Sequence, residues 1–153
     1  MTFELGLANG AAADFALDIA QVAQVLEVVA LTPVPLAPDV VRGIINHHGR
    51  IVTAVDPSML LGLAPQAVSA GQVILLRREG SRKANVGLVV GRVREIVPKA
   101  QLERVEVRAG PCVSWVAKLK RRLIHVVSLE PLLDGLGQQF SPRERGEPLG
   151  VEL

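Results

Sequence analysis

Short runs of alternating apolar and polar residues fill most of the chain, and the clearest lies about a third of the way along it. Residues 41–45 and 51–55 are rich in β-branched side chains and flank the polar stretch Asn46-His47-His48-Gly49-Arg50. This pattern predicts two strands joined by a tight turn, marked by Gly43, Asn46 and Gly49, since Asn and Gly accept the dihedrals such turns need. Similar runs predict a first hairpin from residues 2–7 and 15–19, a short helical turn at 20–25, and strands at 26–30, 72–78, 85–90 and 93–97. A polar turn is read at 79–81. The segment 32–38 holds Pro33, Pro35 and Pro38 and reads as an extended connection, because each proline removes a donor and pushes its predecessor to extended geometry. Asp56, Pro57 and Gly62 have the positions of a helix N-cap, first residue and stop.

The hairpin recurs. Displaced by 72, residues 41–61 fall on 113–133, apolar on apolar at nearly every strand position, and displaced by 71, residues 15–26 fall on 86–97. Two segments agreeing on almost one offset indicate a duplicated unit. The second copy predicts a hairpin at 113–119 and 123–127, a charged connection at 99–110 before it, and a short helix at 128–133 after it. The expected organisation is one domain over residues 1–134. Lobe one covers about 15–66 plus an N-terminal strand, and lobe two about 72–134, with the boundary in the small-residue stretch 64–71. A flexible tail, rich in Gly, Pro, Gln and charge, is expected over 135–153. Short strands in such small units favour barrels, which leave fewer open edges.

Composition narrows the function. The chain is 49% hydrophobic with no Tyr, one Trp and three Phe, so its core is aliphatic and stacking platforms for single-stranded nucleic acid are few. The lone Cys112 cannot form an internal disulfide, and neither a signal peptide nor a run of about 20 apolar residues is present, which points to a soluble cytoplasmic protein. Residues 1–70 hold six acids and two bases, whereas 71–153 hold nine acids and fifteen bases. That asymmetry suits a module meeting two different surfaces, or a chance basic face.

Catalytic and metal-binding patterns are missing. Ser114 and Ser128 lie in no nucleophile elbow, the glycines form no phosphate loop, and the carboxylates are scattered. His47 and His48 are adjacent in a turn with no Cys or carboxylate cluster at ligand spacing. No enzyme, metal or cofactor is expected.

The segments Phe15-Ala-Leu-Asp-Ile-Ala-Gln-Val-Ala-Gln-Val, Pro38-Asp-Val-Val-Arg-Gly-Ile-Ile-Asn-His-His-Gly-Arg-Ile-Val and Val86-Gly-Leu-Val-Val-Gly-Arg-Val resemble the CheW-like domain of chemotaxis coupling proteins, in consistent order from about residue 3 to residue 133. The resemblance implies a mostly β fold of two small five-stranded, SH3-like β-barrel lobes with short helices, acting as a non-catalytic adaptor. Implied partners are the cytoplasmic tip of a chemoreceptor (a methyl-accepting chemotaxis protein) and the regulatory domain of a CheA-type histidine kinase, with no membrane insertion. The receptor tip would lie in an apolar groove between the lobes lined by Ile19, Val22 and Val73, by helix-in-groove recognition; the competing reading is that these three are core. The family's Asn-Leu-Arg-Gly turn is Asn46-His47-His48-Gly49 here, and a usual glutamate is Gln24. The resemblance places these changed positions close together, so the swap replaces an ion pair with neutral groups and implies weakened or lost kinase contact. The family's Val-Asp-x-Val is Val90-Gly91-Arg92-Val93, and its glycine in the last hairpin is Trp115. The alternative is a small β-barrel that binds nucleic acid through Arg77-Arg78, Arg82-Lys83 and Lys118-Leu119-Lys120-Arg121-Arg122 of the basic second lobe; no nucleic-acid partner is expected, for want of interleaved aromatics.

Overall fold

The alternating runs become strands β1 (Thr2–Gly6), β2 (Ala12–Ala16), β3 (Val22–Glu27), β4 (Val41–His47), β5 (Arg50–Val55), β6 (Gln72–Leu76), β7 (Val86–Val90), β8 (Arg92–Val93), β9 (Glu103–Val105), β10 (Val113–Leu119) and β11 (Arg122–Val127). Among the described residues, the α-helices α1 (Pro57–Leu60) and α2 (Leu129–Gln139) each follow a hairpin, and 3-10 turns occupy Ile19–Gln21 and Lys99–Gln101. The structure, a computed structural model, describes residues 1–7, 10–27, 30–66, 71–77 and 86–139. The polar turn at 79–81, Asn85 and residues 67–70 of the 64–71 boundary lie outside the described residues.

The strands sort into a six-stranded sheet, β8-β1-β2-β11-β10-β9, and a five-stranded sheet, β3-β6-β7-β5-β4. The duplication is visible in this order. Hairpin β4–β5 of the first unit pairs in parallel with β7 of the second, and hairpin β10–β11 of the second pairs in parallel with β2 of the first. Each unit therefore lends its first hairpin to the other unit's lobe. This corrects the expected lobe split at residue 66: β1 and β2 belong with 92–127, while β6 and β7 belong with 22–55. It also removes the charge asymmetry between lobes, since Glu4 and Asp14 share a sheet with the basic β10–β11 hairpin.

The core lies mainly between the lobes. Phe3, Leu5, Phe15 and Leu17 from one side meet Ile74, Leu76, Leu88 and Val90 from the other, sealed by Leu129, Leu132 and Leu136 of α2. Each lobe adds a smaller cluster of its own, around Ala117 and Ile124 in one and around Val52 and Val73 in the other. At about 1.5–3 kcal/mol per fully buried Leu or Phe, the shared layer is the main cohesive element.

Several sequence expectations shift. The helical turn expected at 20–25 is a 3-10 turn over Ile19–Gln21, with Val22 already in β3, because Val22 and Val25 pair along β6 and pack on the core; the strand expected at 15–19 is β2, Ala12–Ala16. The strand expected at 93–97 stops at Val93. The helix expected to end near 133 runs to Gln139, through the start of the expected tail, because Leu129, Leu132 and Leu136 fall on one helical face and are buried. That burial outweighs the roughly 1 kcal/mol each of Gly135 and Gly137 costs in a helix. Residues 140–153 lie outside the described residues.

Candidate functional site

An open cleft of about 830 Å³ lies where the end of β2 and the 3-10 turn Ile19–Gln21 face the 96–102 connection and the β11–α2 junction. Its apolar lining includes Ile19, Ile96, Leu102, Trp115 and Val126, with Asp18, Lys99 and Glu130 among its charged residues. Ile19 and Ile96 are 46% and 65% exposed, an unusual state for isoleucine. Asp18 sets the first of these: its carboxylate accepts from the Ala20 N–H at 3.0 Å, capping the turn that carries Ile19. Trp115 packs against Ala16, Ala117 and Ile124 and lies under the Arg104 guanidinium, 5.6 Å from its ring centre. Such a cation over an indole face fixes the ring without closing the cleft.

Of the three expected groove residues, only Ile19 reaches this cleft. Val73 is fully buried inside the five-stranded lobe with Val52 and Leu75, and Val22 is buried in the core between the lobes. They lie in different clusters and form no common surface. The core reading applies to both, and Ile96, Leu102, Trp115 and Val126 are the lining residues that sequence reasoning missed. The signal was partly present, since the only Trp of the chain stands where glycine was expected.

At the far end of the other lobe, β4 and β5 meet in a two-residue turn, His48-Gly49, with φ of 51° and 80°. Positive φ at both positions matches the twist of the strands, and Asn46 Oδ1 accepts from the Gly49 N–H at 3.0 Å. Gly43 answers a different demand: at φ 150° a β-carbon there would sit 2.7 Å from the Thr32 carbonyl oxygen. Thr32 exchanges backbone hydrogen bonds with Ile44, extending the β4 edge. The expected Gln24–His48 neighbour pair is corrected to Gln24 and His47: His47 Nε2 lies 3.3 Å from Gln24 Oε1, and the two histidine rings meet edge on at 4.2 Å. The cause is the turn, which keeps His47 in the ladder opposite Arg50 and moves His48 into the left-handed region. Because β3 and β4 are the two ends of the five-stranded sheet, the Gln24–His47 contact and the Thr32–Ile44 bridge help close it.

The opposite end of this hairpin, where Val41 pairs with Val55, is braced by a buried carboxylate. Asp56 Oδ1 accepts from Ser58 N, Ser58 Oγ and Gln66 Nε2 at 3.0, 2.7 and 2.8 Å. Its Oδ2 accepts from Gln66 N at 2.9 Å and Arg42 Nη2 at 3.2 Å. Gln66 also donates to the Val89 carbonyl at 2.7 Å, so one carboxylate ties β4, α1, the following segment and β7 together. Burial acts to raise the carboxyl's pKa, but the hydrogen bonds from Ser58 and Gln66 outweigh it and hold the pKa below the ordinary 3.8. Asp56 is thus structural. Burial pushes the Cys112 thiol up, which opposes reactivity.

Among the described residues no three His, Cys, Asp or Glu side chains cluster as metal ligands, and no helix is long and apolar enough to cross a membrane. Of the basic groups, Lys118, Lys120, Arg121 and Arg122 surround the β10–β11 turn, whereas Arg78, Arg82 and Lys83 lie outside the described residues.

Known proteins share this architecture. A chemotaxis protein CheW of Thermotoga maritima is 27% identical over 123 residues, covering 78% of this chain and 80% of that protein. The crystal structure of the scaffolding protein TtCheW from Thermoanaerobacter tengcongensis superposes with a TM-score of 0.67 at 26% identity, covering 86% of this chain and 90% of that one. Residues 1–136 match the CheW-like domain as a unit, taking in both lobes and most of α2, and the chain belongs to the CheW-like domain family.

Proposed function

We propose that this chain is a non-catalytic adaptor of chemotaxis-type signalling that holds the helical cytoplasmic tip of a chemoreceptor in the cleft between Ile19, Ile96 and Trp115. The observation that carries this reading is that two exposed isoleucines and an indole line one open cleft, among polar residues that could fix a helix's register. About 830 Å³ is commensurate with roughly two turns of a helix about 10 Å across. Apolar side chains at i, i+3 and i+4 of such a helix would supply most of the affinity.

The adaptor's second partner is the regulatory domain of a CheA-type kinase, met by the other lobe and held more weakly than the receptor. Gln24 and His47 supply an amide and an imidazole at its hairpin end, where a guanidinium–carboxylate pair would offer permanent charge and fixed donors. Titrating the purified protein separately with a receptor-tip fragment and a kinase regulatory domain, in low and high salt, tests both halves. The receptor fragment should bind with little salt dependence and lose affinity at least tenfold on Ile96→Asp. Kinase-domain binding as tight as receptor binding would sink the weaker-contact claim. Affinity for duplex or single-stranded nucleic acid that falls steeply with salt would favour the basic-lobe alternative.

A further inference from the structure

The proline-rich connection between β3 and β4 displays a leucine under two simultaneous penalties. Leu36 is fully exposed, at 102%, and its φ is +65°. Ala37 N–H donates to the Val34 carbonyl at 3.3 Å, so Val34-Pro35-Leu36-Ala37 is a closed turn. With proline second and positive φ third it is of type II, whose third position ordinarily takes glycine. A leucine there strains the backbone and gains no burial in return.

The turn is also held rigidly. Thr32 and Ile44 exchange hydrogen bonds of 3.0 and 2.8 Å, Val41 N–H donates to the Pro38 carbonyl at 2.9 Å, and Val40 is buried. Pro33, Pro35 and Pro38 each fix a φ angle. A side chain presented this way has little freedom left to lose on binding, which is the condition for an efficient anchor. Val34, itself 39% exposed, stands beside it. The cleft draws none of its lining from residues 22–95, so knob and cleft are separate surfaces.

We propose that Leu36, flanked by Val34, is the anchor through which a second, globular partner docks: a folded domain offering an apolar pocket of leucine size. A single side chain raised on a turn is complementary to a concave pocket, whereas the cleft is complementary to a convex helix. The inference rests on the adaptor reading, and its probe is the regulatory domain of a CheA-type kinase. The Gln24–His47 contact puts no guanidinium–carboxylate pair at the hairpin end of this lobe, and the apolar anchor carries the docking.

The test uses the full chain as wild type, Leu36→Gly and Leu36→Met, measuring the unfolding midpoint and binding to both the kinase regulatory domain and a receptor-tip fragment. Leu36→Gly should leave the midpoint unchanged or raise it, weaken regulatory-domain binding at least tenfold, and leave receptor binding within twofold; Leu36→Met should retain regulatory-domain binding. Wild type that binds the regulatory domain while Leu36→Gly binds it equally well would overturn the anchor and leave the adaptor reading intact. Wild type with no affinity for the regulatory domain would overturn the kinase half of that reading and the anchor's partner with it. A fall in midpoint together with binding would assign Leu36 a structural role and overturn the proposal. So would sedimentation showing a wild-type dimer that Leu36→Gly dissolves, because the occupant would then be a second copy.

Discussion

Hairpins β4–β5 and β10–β11 are the same device used twice, and their differences separate what folds the chain from what it presents. Both break register one residue in, at Val41/Gly43 and at Val113/Trp115. Both turn at equivalent residues, His48 and Lys120, with positive φ of 51° and 58°. After each, the residue before the helix donates its N–H back across the lobe at 2.8 Å, Asp56 to Val40 and Ser128 to Cys112. The two copies share the backbone plan while their side chains diverge, and three of the differences matter here. Asp56 is a buried hub where Ser128 is not, Trp115 fills a cleft wall where Gly43 admits a crossing chain, and the turn residues are Lys120-Arg121 in one copy and His48-Gly49 in the other.

The first divergence gives the largest expected effect. Asp56→Ala leaves Arg42, Ser58 and Gln66 without their shared acceptor and should cost about 3–5 kcal/mol, against about 1 kcal/mol for Ser128→Ala. Urea unfolding of the two variants checks the contrast; equal costs would break it. Gly43→Ala comes next. Its β-carbon meets the Thr32 carbonyl oxygen at 2.7 Å, a backbone atom that cannot simply swing away, so a loss of about 2–3 kcal/mol is expected in thermal unfolding. Trp115→Gly should cost less, about 1–2 kcal/mol, because the indole is only partly buried.

The hub also titrates. Because its folded pKa is depressed, Asp56 stabilises the protein above its unfolded value near 3.8, and that contribution is lost as pH falls through the lower folded pKa. Stability of wild type measured from pH 7 down to 2 should therefore decline below about pH 4, whereas an Asp56→Asn variant, weaker throughout, should decline less. Smallest of all is His48→Gly. Relief of left-handed strain and the greater chain entropy of glycine oppose each other, so its stability should stay within about 0.5 kcal/mol of wild type.

Much of this plan was legible in the sequence. The 72-residue offset, the central hairpin and the Asp56-Pro57 helix start are local patterns of polarity and turn chemistry, and the structure reproduces them. The exchange of first hairpins between lobes was not legible, because periodicity reveals that β2 and β7 are strands without saying which neighbour each will choose. The helix through Gly135 and Gly137 ran against local propensity and depends on tertiary burial of Leu132 and Leu136. At the candidate site the same distinction holds. Ile19 looked apolar and is exposed, while Val22 and Val73 looked identical to it and are core, since only the assembled lobes decide which aliphatic side chain is covered. Gln24 was expected beside His48 and lies beside His47, because the two-residue turn keeps His47 in the ladder.

Trp115 is the only tryptophan of the chain and lines the cleft, so its fluorescence reports directly on the central claim that the cleft is the receptor-docking surface. Titration with a receptor-tip fragment that contains no tryptophan should give a saturable change in Trp115 emission that tracks binding measured by calorimetry, and a kinase regulatory domain free of tryptophan should bind without that change. Receptor binding that leaves Trp115 emission untouched would contradict the account.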